Sequence, residues 1–121
     1  MEGLKIIQSY KFDKRASGIA SWVFDLLVPG KDYIDIAYDD IHGQFIYTYR
    51  GQSDFDVATV KIPSTSEEMK VEGEIEIVSA LKDNHLLGDG LICTLLDKTR
   101  NVVITIFKGA SSGGIDVTLR N

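Results

Sequence analysis

Between Tyr33 and Asp40 the chain alternates without a break, with Ile34, Ile36 and Tyr38 on one side and Asp35, Ala37 and Asp39 on the other. A period of two marks a strand, because successive side chains point to opposite faces of the pleat. Phe45 to Arg50 returns in the same rhythm with Phe45, Tyr47 and Tyr49 in phase. Asp40-Ile41-His42-Gly43 between them has the composition of a hairpin connection. This constrains the fold more than anything else in the chain, because two aromatic strands joined by a short turn must bury at least one face.

The rest of the sequence extends the pattern. Leu4 to Phe12 reads as a first strand and Asp13-Lys14-Arg15 as a charged turn or helix start. After the Gly51-Gln52-Ser53-Asp54 turn, Phe55 to Ile62 reads as another strand. Pro63 to Lys70 is polar, and Ser64 with Glu67 has capping-box spacing for one helical turn. Val71 to Lys82 alternates again, with Val71, Ile75, Ile77 and Leu81 on one face and Glu72, Glu74 and Glu76 on the other. Asp83 to Gly90 reads as a loop. Leu91 to Leu96 and Val102 to Lys108 flank a hairpin at Asp97-Lys98-Thr99-Arg100-Asn101. Gly109 to Gly114 is a glycine-rich connection, and Ile115 to Arg120 is a last strand.

Ala16 to Val28 satisfies two periods. With period two, Ala20, Trp22, Phe24, Leu26 and Val28 share a face; with period 3.6, Ser17, Ser21 and Asp25 form a polar stripe opposite Ile19, Val23, Leu26 and Leu27. Asp13 could cap such a helix, and Pro29-Gly30 would end either element. The aromatic and β-branched content favours a strand. The expectation is therefore an all-β chain, with room for one short helix: an antiparallel sandwich or small barrel of about eight strands joined mainly by hairpin turns. At 121 residues it reads as a single domain spanning 1–121. No internal repeat is evident.

Composition bounds the function. The net charge of −5 disfavours nucleic acid, whose phosphates need clustered Lys and Arg. No apolar stretch is long enough to span a bilayer, and the N-terminus lacks a signal-peptide pattern, so a cytoplasmic protein is expected. Cys93 is the only cysteine, in phase with Leu91 and Leu95, and reads as a buried thiol. His42 and His85 lack metal-ligand spacing and read as loop residues. Gly109 to Gly114 lacks the ending of a phosphate loop. Trp22 reads as a core anchor. No catalytic, cofactor-binding or metal-binding residue is assigned, and the chain reads as a non-enzyme.

The segment Tyr33–Asp56 stands out: it holds four of the five tyrosines, and Asp35, Asp39, Asp40, Asp54 and Asp56 face only Arg50 as a cation. Tyrosine beside carboxylate suits the gripping of a basic protein. The expected partner-binding residues are Asp35, Asp39, Asp40, Tyr47, Tyr49, Asp54 and Asp56. The leading functional expectation is a non-catalytic acidic protein-binding domain. Its most concrete form is an inhibitor or immunity-type antitoxin neutralising a nucleic-acid-cleaving enzyme, whose cleft must be cationic. The alternatives are a small β-barrel carrier of an apolar ligand and a structural or assembly subunit. The Glu72/Glu74/Glu76 ladder reads as a solvated face or charge-protected edge, with Lys61, Lys108 and Arg120 on neighbouring strands as candidate partners, and its alternative is a docking surface.

Overall fold

The computed structural model describes residues 3–12, 19–52, 54–83, 90–109 and 112–120. Eight strands form two four-stranded antiparallel sheets in simple meander order. The first sheet contains β1 (Leu4–Lys11), β2 (Tyr33–Asp39), β3 (Gln44–Arg50) and β4 (Phe55–Lys61); the second contains β5 (Ile75–Asp83), β6 (Gly90–Asp97), β7 (Val102–Lys108) and β8 (Gly113–Leu119). The architecture is a sandwich, and the alternating strands lie close to where the sequence places them, although β5 begins at Ile75 rather than Val71 and β8 at Gly113 rather than Ile115. A single continuous core runs between the sheets, from Ile34, Ile36, Phe45, Tyr47 and Tyr49 on one side to Leu91, Cys93, Leu95, Ile104 and Ile106 on the other.

Three expectations are corrected. The described part of Ala16 to Val28, residues 19–28, holds no strand and contains one helical turn, α1 (Val23–Leu26). The period of 3.6 prevails because Val23 and Leu27 are buried while Ser21 and Asp25 face out. The Asp32 carboxylate accepts the Val28 amide at 2.7 Å, closing the connection behind the helix. Asp13, the proposed cap, and His85 lie outside the described residues. Second, Val71 and Leu81 do not share a buried face with Ile75 and Ile77. A bulge between Ile77 and Ser79 reverses the phase of β5, leaving Leu81 65% exposed. Third, the helical turn at Glu67–Lys70 starts from Ser66, with no side-chain cap.

The two sheets are copies of one plan, although the sequence shows no repeat. Each has a bulge in its first strand pair, between Ile6 and Gln8 and between Ile77 and Ser79. Each second hairpin closes at equivalent pairs, Asp39 with Gln44 and Asp97 with Val102, and the left-handed turn position is Gly43 in one and Asn101 in the other. The third hairpins close at Arg50 with Phe55 and Lys108 with Gly113. The copies present opposite faces to the core. Phe45 is buried while its counterpart Val103 faces out; Val102 is buried while its counterpart Gln44 faces out.

The sheets meet edge to edge where β4 and β8 lie side by side, and the Asp56 carboxylate accepts the Ile115 amide at 2.9 Å. On the other flank the Gln8 side chain bonds to both backbone groups of Gly73, accepting from its amide at 2.8 Å and donating to its carbonyl at 3.2 Å.

Candidate functional site

The inverted copies put the same turn motif into two environments. At the β2–β3 hairpin of the first sheet Asp39 accepts the Ile41 and His42 amides and pairs with His42 Nδ1 at 2.7 Å, in the open. The equivalent pair at the β6–β7 hairpin of the second sheet, Asp97 and Arg100, is fully buried. Arg100 also donates to the Met69 and Val71 carbonyls at 2.9 Å and to Gln8 at 2.7 Å. Tyr47 completes the cluster by donating to Asp97 at 2.7 Å. Burial and the adjacent Asp97 charge push the Tyr47 hydroxyl well above the usual tyrosine range.

A second cluster stands at the far end of the core. Tyr49 donates to Asp32, and Lys108 approaches Asp54 at 2.6 Å and Asp32 at 3.5 Å. Burial, then the hydrogen bond to Asp32, raises Tyr49. Burial alone would lower Lys108; its bonds to Asp54 and Tyr49 outweigh that and raise it. These shifts fix an ammonium in its charged state and two phenols in their neutral state. A group poised to exchange protons near neutrality needs shifts toward neutral pH. Cys93 follows suit, its thiol pushed up to about 12 by burial. Every buried side-chain polar atom among the described residues has a partner.

Most of the aspartates of Tyr33–Asp56 already have partners within the chain. Asp35 binds Ser9 and Arg50, which together outweigh burial and hold its carboxyl below the usual range. Arg50 in turn lies 4.4 Å from the centre of the Tyr33 ring. Asp54 is tied to Lys108, and Asp56 to the β8 backbone. Tyr47 and Tyr49 are fully buried, so neither belongs to a contact surface. They sit inside because they alternate with Ile46 and Thr48, and each hydroxyl finds a carboxylate within the core. Of the residues expected from sequence, Tyr47 and Tyr49 are thus internal, Asp54 and Asp56 brace one sheet against the other, Asp35 and Asp39 bind neighbours on the outer face of the first sheet, and Asp40 lines an open groove.

Asp40 lines a groove of about 450 Å³ with Gly3, Leu4, Lys5, Tyr38, Glu67 and Lys70. The Lys70 ammonium stands 4.7 Å from the centre of the Tyr38 ring and 3.2 Å from Glu67. The Glu67 carboxylate raises Lys70 above the ordinary lysine range. A π face flanked by carboxylates is a cation cradle, and here it holds the protein's own lysine. Sequence reasoning missed this site. Its signal was the composition of Glu67 to Glu76, which carries Glu67, Glu68, Glu72, Glu74 and Glu76 against Lys70 alone.

No family model matches the chain, and neither a curated protein nor a solved structure matches it.

The glutamate ladder is neutralised differently from expectation. Lys98, from the adjacent hairpin, reaches Glu76 at 2.7 Å and Glu74 at 3.5 Å, whereas Lys108 turns into the core. Trp22 is half-buried against the core, 6.0 Å below the Lys82 ammonium. Among the described residues no three His, Cys, Asp or Glu side chains converge as metal ligands, and no helix is long and apolar enough to cross a membrane.

Proposed function

We propose that the protein is a non-catalytic binding domain for a cationic protein partner. The proposed contact surface is the groove over Tyr38 and the acidic segment beside it. The observation that carries this reading is Lys70 above the Tyr38 ring, bonded to Glu67 with Asp40 nearby. A site that already holds one lysine ammonium between a π face and carboxylates has the chemistry to accept a lysine or arginine from a partner in its place. The exposed Glu68 and Glu72 extend the negative surface, and the net charge of −5 would speed encounter with a basic protein. An inhibitor of a basic nucleic-acid-cleaving enzyme remains the most concrete form of this function.

The carrier alternative loses support from the packing. Tyr47 crosses the sandwich to Asp97, and Tyr49 packs so closely on Gly113 that an added Cβ would lie 2.7 Å from its ring. These rings fill the space an apolar ligand would occupy between the sheets.

The test is a comparison of proteins retained by the immobilised wild type and by a Glu67→Lys/Glu68→Lys/Glu72→Lys variant. The expected difference is a set of basic proteins that elute with rising salt, with association slowed about tenfold in the variant. An unchanged retained set, or one without basic proteins, would overturn the reading.

A further inference from the structure

Strands buried on both faces are apolar on both faces, whereas a strand facing water on one side alternates with polar residues. β6 and β7 are apolar on both sides. Leu91, Cys93, Leu95, Ile104 and Ile106 face the core, yet Ile92, Leu96, Val103 and Phe107 occupy the outer face with only Thr94 and Thr105 between them. Cross-strand register sets Leu81, Ile92, Phe107 and Gly114 in one row, with Leu81 65% and Phe107 47% exposed. The first sheet also exposes apolar side chains at Ile6, Phe55 and Val57, but the middle of its outer face carries the Ser9–Asp35–Arg50 network and the bonded side chains of Asp39 and Gln44.

We propose that the outer face of the second sheet is a two-fold interface with a second copy of this chain. The face is complementary to itself. An axis parallel to the strands lays β5 over β8 of the second copy and β6 over its β7. Leu81 then stands above Gly114, the one position in its row without a side chain. Ile92 meets Phe107, Leu96 meets Val103 and Thr94 meets Thr105, each contact occurring twice, as an isologous interface requires. At the end of the face the exposed Arg120 lies opposite Glu74, whose own-chain partner Lys98 stands at 3.5 Å, and in the Thr94–Thr105 row Asp116 lies opposite Ser79. An axis across the strands would instead set Leu81 on Glu76.

Four strands about 4.8 Å apart and some seven residues long give a footprint on the order of 400 Å² per copy. That is at the low end of specific interfaces, so the dimer dissociates on dilution. The surface is separate from the groove at Tyr38 and meets the acidic segment beside it only at its Glu74 end, and the proposal stands whether or not that groove binds a cationic partner.

Analytical ultracentrifugation of the full chain over a wide concentration range tests it. The expected result is a mass rising from one chain to two. Leu81→Thr/Phe107→Thr, which keeps strand-favouring residues on an exposed face, should weaken self-association at least tenfold with an unchanged circular dichroism spectrum. Glu74→Arg and Arg120→Glu should each weaken it, and the two together should restore it. A single-chain mass at every concentration would sink the proposal, as would a threonine variant that associates as tightly as the wild type.

Discussion

Tyr47 and Tyr49 leave the same face of β3, two residues apart, and their hydroxyls end on carboxylates at opposite ends of the core. Tyr47 reaches Asp97 in the second hairpin of the other sheet; Tyr49 reaches Asp32 in the connection that follows α1. One strand thus anchors both polar plugs of the sandwich, and disturbing either plug should be felt throughout the fold.

Arg100→Met should be severely destabilising, by about 3–5 kcal/mol, because it strips a buried carboxylate of its counter-ion and orphans the Met69 and Val71 carbonyls. Combining it with Asp97→Asn should recover part of the loss. Asp39→Asn, at the equivalent exposed turn, should cost a small fraction of that amount. Urea denaturation of the four proteins measures the contrast.

Alkaline pH should unfold the protein cooperatively. Tyr47, Tyr49 and Lys108 all hold their protons more tightly folded than unfolded. Their stabilisation is complete below the ordinary tyrosine and lysine range near pH 10, and it is lost as pH rises through that range toward the folded values. A spectrophotometric titration should show two of the five tyrosines ionising only together with loss of the near-ultraviolet dichroism. Independent early ionisation of all five would contradict this.

Cys93 should resist thiol reagents. It is fully buried on β6 with its thiol pushed up to about 12, so labelling at neutral pH has to await unfolding. The labelling rate should therefore rise with denaturant in step with the unfolding rate, and fast modification of the native protein would place the thiol nearer the surface.

Gly113→Ala should cost about 1–3 kcal/mol, since the new methyl would meet the Tyr49 ring at 2.7 Å and the β7 backbone at 3.4 Å. Gly109→Ala, whose nearest neighbour is the Ser112 hydroxyl at 3.6 Å, should be close to neutral. Thermal denaturation of the pair separates crowding at β8 from a general glycine effect.

Lys70→Ala should uncover one face of the Tyr38 ring, at the rim of the core. Removing one positive charge and one occupant together should tighten binding of a lysine-rich peptide several-fold, and more so at low salt. Tyr38 chemical shifts report the occupancy. Weaker binding would mean that Lys70 contacts the ligand instead of standing in for it.

Much of this fold was legible in the sequence. The alternation of Tyr33–Asp40 and the turn at Asp97–Asn101 survive unchanged, because short-range periodicity is what a sheet imposes. The bulge in β5 was not legible, since a single extra residue at Val78 leaves no compositional mark. The duplication was hidden for a physical reason. Equivalent positions face opposite ways, so a buried Phe45 aligns with an outward Val103, and the two hydrophobic patterns run out of phase. The acidic stretch misled because Asp54 and Tyr49 read as surface residues, while their partner Lys108 lies in another sheet and was itself read as an outward cation.

Gln8 performs the office of a peptide bond. Its side-chain amide meets Gly73 as a neighbouring strand's backbone would, carbonyl to amide and amide to carbonyl, and the same oxygen also receives Arg100. One residue thereby does for Gly73, just ahead of β5, what a paired strand would do. A foreign chain seeking to pair with the Gly73 backbone would find both of its groups already taken.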